Sequence, residues 1–286
     1  MMSRAAFALL IVAVPALPAA AVEPIALPLS KLPAFPAPDL ELNGLSPEIA
    51  ANVKTALSDA ARGDRAARLA EAAIGAAEAA AVKGRDAAKK GQPLNIAFHG
   101  AACRYRGDTQ TNLADGFGVM MCGAASYAGT FRKGVADGPM MVETPETVFF
   151  GIYREGKANG LGGDSARRQG DAYQGEYQDG ARLGFGVERD KDGVYPGRFG
   201  FYVDPKDKSH RIDMALSGRQ DFATAHWAGS FGAYLGPRIA CTIIKGATLE
   251  GSVLDGYGAK FDAAGRPVEQ GLYTTGLLKG ATAPPC

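Results

Sequence analysis

The sequence predicts a mainly β protein: an elongated array of β-hairpin repeats that forms one twisted sheet, preceded by a short α-helical hairpin. The main observation is an aromatic residue followed two positions later by glycine, which recurs at intervals of 22, 22, 24, 22 and 32 residues. A period of this length is typical of repeat architectures. The first aromatics are Tyr105, Tyr127, Phe149, Tyr173, Tyr195 and Trp227, and Leu249-Glu250-Gly251 and Glu269-Gln270-Gly271 continue the register without the aromatic.

The unit from Tyr173 to Asp192 shows what one repeat encodes. Tyr173 and Tyr177 are separated by an even number of residues, so a strand places them on one face. Asp179-Gly180 predicts a tight turn, because glycine adopts a positive φ without steric conflict. The alternating Gly184-Phe185-Gly186-Val187 then predicts the return strand. Each repeat is therefore expected to be a β-hairpin of about 22 residues.

Glycine within a strand normally weakens it, so the repeated glycines need a structural reason. We expect each large ring to lie over the glycine of a neighbouring strand. The hairpins would then stack into one sheet with a ladder of aromatics along it. Stacking is required because an isolated hairpin is only marginally stable in water.

The segment Tyr173-Gln-Gly-Glu-Tyr-Gln-Asp-Gly-Ala-Arg-Leu-Gly-Phe-Gly resembles the MORN repeat (membrane occupation and recognition nexus). Tyr127-Ala-Gly-Thr-Phe-Arg-Lys-Gly and Phe149-Phe-Gly-Ile-Tyr-Arg-Glu-Gly resemble it next best, and the resemblance covers roughly Tyr105 to Gly280. The chain departs from the pattern at Thr109, which replaces the second aromatic, and in the expanded unit that starts at Tyr195. The resemblance implies an elongated, curved hairpin array used for protein or lipid contacts, usually without catalysis of its own.

The N-terminal region before the repeats divides into three segments. Residues 1–21 are expected to be a secretory signal peptide, with Arg4, an apolar stretch from Ala5 to Val14 and a small-residue cleavage site at Ala19-Ala20-Ala21. Residues 22–45 contain five prolines and predict an extended, mobile linker. The third segment, residues 46–91, is alanine-rich and helical, and the repeat domain follows over 92–286.

The 46–91 segment is predicted to be a helical hairpin. Ser46 and Pro47 form a helix start, because serine is a preferred N-cap and proline suits the first helical position. Arg62-Gly63-Asp64 is interpreted as the connection between the two helices. We expect the hairpin to cap the array, as terminal units of repeat proteins must. An oligomerising or partner-binding helical module is the alternative.

The four cysteines, Cys103, Cys122, Cys241 and Cys286, all follow the predicted signal peptide, and an even number in an exported chain suggests two disulfides. Antiparallel pairing about a turn near Leu113 places Cys103 opposite Cys122, and Cys241 with Cys286 follows by elimination. A four-cysteine metal site is the alternative, although no Cys-x-x-Cys pair supports it. The expected location is exported, in a periplasm or the extracellular space.

The charge balance and the absence of known motifs argue against several classes of function. Loss of Arg4 with the signal peptide leaves 30 basic and 30 acidic residues, which argues against nucleic-acid binding. No arrangement typical of a catalytic site, a cofactor site or a metal site is present in the three histidines or the glycine motifs. The expectation is therefore a protein without catalytic residues, metal or cofactor, and its oligomeric state is open.

The candidate binding surface is the aromatic ladder, because exposed aromatic strips are a usual anchor for a protein or peptide partner. Ring packing on neighbouring glycines alone is the competing interpretation. Two other functions stay open: peripheral contact with membrane lipid, and a hydrolase in the expanded unit with His210 or His226. The seven predicted binding residues are Tyr127, Phe131, Tyr153, Tyr173, Tyr177, Tyr195 and Phe199.

Overall fold

The computed structural model describes residues 25–35, 37–167, 170–203, 211–237, 248–274 and 277–279. Several sequence-based expectations lie outside these ranges. They are the signal peptide, His210, and the predicted pair Cys241–Cys286.

The described chain contains one α-helix and one antiparallel sheet whose strands follow one another in sequence order, which confirms the predicted β-hairpin array. The helix α1 spans Pro47–Lys90, and a short 3₁₀ turn lies at Leu29–Lys31. The strands are β1 Leu94–Phe98, β2 Ala101–Gln110, β3 Leu113–Cys122, β4 Ala125–Arg132, β5 Val135–Glu143, β6 Thr147–Arg154, β7 Lys157–Ala166, β8 Asp171–Gln178, β9 Ala181–Arg189, β10 Gly193–Val203, β11 Arg211–Phe222, β12 Ala225–Pro237, β13 Thr248–Asp262, β14 Pro267–Thr274 and β15 Leu277–Leu278.

Two-residue turns join the strands within the central repeats, as the sequence predicted. Asp179 and Gly180, between β8 and β9, have φ angles of 51° and 84°. Positive φ at both central residues belongs to the type I′ turn, whose twist matches that of the flanking strands. Lys133-Gly134 and Glu155-Gly156 have the same signs of φ at the equivalent positions.

A continuous row of glycines crosses the sheet from β2 to β14. Each strand contributes one residue to this row, and every one is a glycine except Met140 on β5. We call it the glycine row: Gly107, Gly118, Gly129, Met140, Gly151, Gly162, Gly175, Gly186, Gly197, Gly218, Gly229, Gly258 and Gly271, each paired with the next.

One sequence-based register is wrong. Gly251 lies opposite Tyr234, and Gly258 occupies the β13 position of the glycine row. The motif Leu249-Glu250-Gly251 therefore does not start a separate repeat. The hairpin of β12 and β13 is a single long unit.

One face of the sheet, which we call the aromatic face, carries the rings of the repeats packed over the glycine row. A β carbon on Gly118 would collide with the ring of Tyr105, and one on Gly186 would collide with the ring of Tyr173. The Tyr105 hydroxyl also donates to main-chain carbonyls of Asp108 and Phe117, at 2.8 and 3.2 Å. The predicted packing of rings over neighbouring glycines is thus present.

The opposite face carries α1, which is one uninterrupted helix of 44 residues, so the predicted helical hairpin is wrong. Gly63 lies within the helix, where glycine is unfavourable by about 1 kcal/mol relative to alanine. Its place is explained by packing, since a β carbon on Gly63 would come within 2.5 Å of the Gly197 nitrogen. The glycine interpreted as a loop residue is therefore a point of close approach between helix and sheet.

The helix follows the sheet with a period of seven residues. The positions nearest the sheet are occupied by glycine or buried alanine from residue 56 to residue 91. Gly63 lies over Gly186 and Gly197, Gly84 lies over Gly118 and Gly129, and Gly91 lies over Gly107. From Gly63 to Gly84 the helix advances by 21 residues and crosses six strands, from β9 back to β3. Seven residues of the helix therefore cover each two-stranded hairpin. The full set is Ala56, Gly63, Ala70, Ala77, Gly84 and Gly91.

The N-terminal segment is extended as predicted, but it packs on the molecule and is not a free linker. Leu29 is buried against Ala67 of α1 and Val187 of β9. The Leu29 amide donates to the Gln174 side chain at 2.8 Å, and the same Gln174 donates to the Ala67 carbonyl at 2.5 Å. Gln174 is 1 % exposed and so joins the segment, the helix and the sheet in the interior.

The predicted disulfide between Cys103 and Cys122 is confirmed. The two residues lie on β2 and β3 at positions directly opposite each other, with Cα atoms 4.4 Å apart. Such a bond is compatible with export to an oxidising compartment. Across the residues that the structure describes, no helix has both the length and the apolar character needed to cross a membrane.

Candidate functional site: a charged cleft on the aromatic face

The predicted binding residues all lie on the aromatic face, but they divide into two groups. Phe131, Tyr173, Tyr177 and Phe199 are buried, with exposed fractions between 0 % and 6 %. These four rings therefore belong to the repeat packing. Tyr127, Tyr153 and Tyr195 are half-buried and keep part of their surface accessible.

Two of the half-buried tyrosines line a cleft of about 770 Å³ that runs over strands β4 to β9. Tyr127 and Tyr153 have ring centroids 6.3 Å apart, and Phe149 lies 5.5 Å from Tyr153. These three rings form an aromatic wall. The charged residues that line the same cleft are Asp164, Asp171, Arg182, Glu188, Asp190 and, from β11, Asp213.

Arg182 lies at the centre of these charged residues. Its Nε donates to Asp164 Oδ2 at 3.0 Å, and its Nη2 donates to Asp164 Oδ1, so this contact is bidentate. Its Nη1 lies 3.0 Å from Asp171 Oδ2 and 3.5 Å from Glu188 Oε2. We call Asp164, Asp171, Arg182 and Glu188 the acidic cluster. Three carboxylates surround one guanidinium, with Asp164, Asp171 and Arg182 side chains 12–13 % exposed.

Burial and charge shift the pKa values in the cluster. Burial, helped by the neighbouring acids Asp171, Asp164 and Asp190, raises the pKa of the Glu188 carboxyl to about 7 against the pull of Arg182. Burial by itself would lower the pKa of Arg182, but the contact with Asp164 outweighs it and holds the guanidinium charged. Tyr177 donates its hydroxyl to Asp164, and burial raises its pKa well above the ordinary value.

Comparison of repeat positions shows that the first two repeats have no charged residues at the positions of Arg182, Asp164 and Glu188. Arg182 lies nine residues after the first aromatic of its unit, where the three preceding units have the buried alanines Ala114, Ala136 and Ala158. Asp164 and Glu188 lie fifteen residues after theirs, where the two earlier units have the buried Met120 and Val142. The third and fourth repeats therefore have charged residues where the first two have apolar core residues.

The sequence analysis missed the acidic cluster, although the repeat register contains the signal. Only an offset-by-offset comparison identifies an arginine and two carboxylates at positions where alanine, methionine or valine is usual. Each charge taken alone is an unremarkable polar residue on a strand, and the cluster forms because β7, β8 and β9 bring the residues side by side.

Asp171 leaves a buried oxygen in the cleft without a partner among the described residues. Asp171 is 8 % exposed, and its Oδ1 is buried without a hydrogen bond to any described residue. Buried carboxylate oxygens are normally paired with a donor. Throughout the described ranges, no group of three or more histidine, cysteine or acidic side chains is arranged to hold a metal ion.

Of the two histidines named for a hydrolase in the expanded unit, His210 lies outside the described residues and His226 does not line the cleft. His226 is completely buried on the helix-covered face, where its Nδ1 lies 2.7 Å from Asp221 Oδ1. Arg219 donates to the same Asp221 oxygen. His226 Nε2 has no partner among the described residues, and the pair is shielded from the surface.

No protein-family model matches this sequence, and a search of the curated proteins finds no match either.

Proposed function

We propose that the protein is an exported MORN-like scaffold that binds a protein or peptide partner on its aromatic face, at the cleft over β4 to β9. The observation that supports this most directly is the cleft itself. An opening of about 770 Å³, walled by Tyr127, Phe149 and Tyr153, has the size and the mixed lining that ligand sites commonly have.

The position of the polar groups supports binding over a purely structural role. The first two repeats have small or apolar residues at the offsets of Arg182, Asp164 and Glu188. Buried ion pairs contribute little net stability compared with a well-packed apolar core. Charges kept at such positions are more simply explained by recognition of another molecule.

Export is part of the proposal. The disulfide between Cys103 and Cys122 supports an oxidising compartment, either a periplasm or the extracellular space. The N-terminal signal-like sequence points the same way.

Affinity capture from an envelope extract tests the proposal. The bait is the purified chain, compared with a Tyr127→Ala/Tyr153→Ala variant that opens the aromatic wall. Val82→Ala is the matched control, because Val82 lies on the outer side of α1 and is 57 % exposed.

The expected result is a defined polypeptide that both the wild type and the Val82 variant retain and that the tyrosine variant loses while still folded. Equal capture by all three baits would remove the cleft as the partner site. Flotation of the chain with liposomes, unchanged in the tyrosine variant, would favour the membrane alternative.

A further inference from the structure

Resting on the proposed function, we propose that the acidic cluster is a specificity site for a cationic group, an alkylammonium or guanidinium, carried by the partner as a lysine or arginine side chain. The aromatic wall would contact the aliphatic stem of that side chain, and the carboxylates would receive its charged end.

Charge balance is the first argument. Asp164 is satisfied by the bidentate contact with Arg182 and by the Tyr177 hydroxyl. Asp171 and Glu188 share the remaining Nη1 of the same guanidinium, at 3.0 and 3.5 Å. One positive charge thus serves three carboxylates. The surplus is negative and faces the cleft, where an anion would be repelled and a cation attracted.

The unpaired Asp171 Oδ1 is the second, independent argument. It is a buried acceptor on the wall of the cleft and has no donor among the described residues. A carboxylate in that state is unfavourable until a donor reaches it. An ammonium or guanidinium group supplies N–H donors and the compensating charge together.

The aromatic wall is the third argument. Tyr127, Tyr153 and Phe149 line the same cleft as the carboxylates, and Phe149 is the cross-strand neighbour of Asp164. Faces of such rings attract cations, and their edges and faces also pack against methylene groups. A long side chain with an apolar stem and a charged tip matches both the rings and the carboxylates that line the cleft.

Protonation of Glu188 should make binding of the cation depend on pH. The groups that face this carboxyl are Arg182, Asp164, Asp171 and Asp190, together with its cross-strand neighbours Tyr173 and Tyr195. With a pKa of about 7, Glu188 is mostly protonated in mildly acidic solution. A bound cation stabilises the ionised form and so releases that proton. Binding is therefore expected to be tighter at about pH 8 than at about pH 6.

Calorimetric titration of the purified chain tests the inference, with N-acetyl-lysine methylamide and N-acetyl-arginine methylamide as probes and N-acetyl-glutamate methylamide as the negative control. We expect saturable binding of at least one cation, and an affinity at least about tenfold weaker in Asp171→Asn. Asp179→Asn is the matched control, because Asp179 lies in the β8–β9 turn with 65 % of its side chain exposed.

Three results would overturn the inference: no saturable binding of either cation, unchanged affinity in a folded Asp171→Asn variant, or equal loss in Asp179→Asn. If Asp171→Asn does not fold, Glu188→Gln decides instead. That variant keeps the shape of the side chain, and it should weaken binding and remove its dependence on pH.

Two further titrants identify the source of the cation. A pentapeptide with a central lysine between alanines is compared with spermidine and with the same peptide carrying norleucine. A peptide that binds more tightly than the single lysine derivative supports a polypeptide partner. Tight binding of spermidine without any gain from the peptide would leave the cation site standing and reject the scaffold function.

Discussion

Gly63 of the helix lies directly over Gly197 of β10, so close that a β carbon on Gly63 would be 2.5 Å from the Gly197 nitrogen. Two glycines from distant parts of the chain thus set the distance between the layers. We expect Gly63→Ala to destabilise the protein by about 2 kcal/mol, because the methyl group must push the helix off the sheet. Chemical denaturation monitored by circular dichroism measures the effect.

The control for this substitution is in the same helix. Gly75 has no atom within 4 Å of the position that a β carbon would take. Gly75→Ala should therefore stabilise the protein by up to about 1 kcal/mol through helix propensity alone. Similar effects of the two substitutions would contradict the close packing.

The hydroxyl of Tyr173 bridges the two strands of its hairpin and the adjoining bulge. It lies 3.1 Å from the Glu176 carbonyl and 3.3 Å from the Phe185 carbonyl, and the ring is fully buried. Tyr173→Phe should lower the free energy of unfolding by about 1 kcal/mol, because buried carbonyls lose their donor. Tyr257→Phe, at a ring that is 41 % exposed, should change stability far less in the same assay.

Removal of the disulfide should destabilise the N-terminal end of the array. The bond closes a loop with a sequence separation of 19 residues. In the chain-entropy model such a loop contributes about 3 kcal/mol. The Cys103→Ser/Cys122→Ser variant should melt at a lower temperature by scanning calorimetry, and an unchanged melting temperature would show that the bond adds nothing to stability.

Glu188 should make stability depend on pH. Its pKa in the folded protein is about 7, above the ordinary value of 4.5, so the folded state keeps a proton that the unfolded chain has already lost. Stability from this group is present in acid and is lost as the pH rises from 4.5 towards 7. The difference in unfolding free energy between the wild type and Glu188→Gln should follow that slope in denaturant titrations at several pH values. A slope of opposite sign would show that Glu188 is held ionised.

The acidic cluster should respond to substitution as a unit. Arg182→Ala alone leaves three carboxylates without their cation and should lower stability by about 3 kcal/mol or more. A variant with residues from equivalent positions of earlier repeats removes the charges together: Arg182→Ala, Asp164→Val, Glu188→Val and Asp171→Thr, the last because Thr147 precedes Phe149 as Asp171 precedes Tyr173. It should be closer to the wild type in stability than the single variant, as measured by urea denaturation. If the fourfold variant is the less stable one, the cluster has a structural role.

Local sequence patterns were sufficient to predict the β-hairpin repeat. The hairpins, their glycine turns, the disulfide from Cys103 to Cys122 and the packing of rings over glycines all depend on neighbours a few positions apart or directly across a turn. Period two also placed the tyrosines on one face. It could not separate the buried Tyr173 from the half-buried Tyr153, because exposure depends on which rings of adjacent hairpins cover each other.

The features that the sequence analysis missed are tertiary. Gly63 is a helix breaker by local preference, and only contact with the sheet explains why α1 continues through it. Gly251 fits the repeat spacing, yet the longer strands β12 and β13 move Gly258 into the glycine row. The acidic cluster likewise combines charged residues from three strands. Their unusual positions are recognised only when the repeats are aligned residue by residue.

Because seven residues of α1 cover each hairpin, the length of the helix is matched to the number of hairpins beneath it. A duplication that added a hairpin in the middle of the sheet would leave the glycines of the helix out of step with those beneath them, unless seven residues were inserted in the helix as well. Arrays without such a helix can gain or lose units freely at their ends. In this chain the number of repeats and the length of the helix must change together. The number of repeats is therefore constrained by the helix, which the repeats alone would not require.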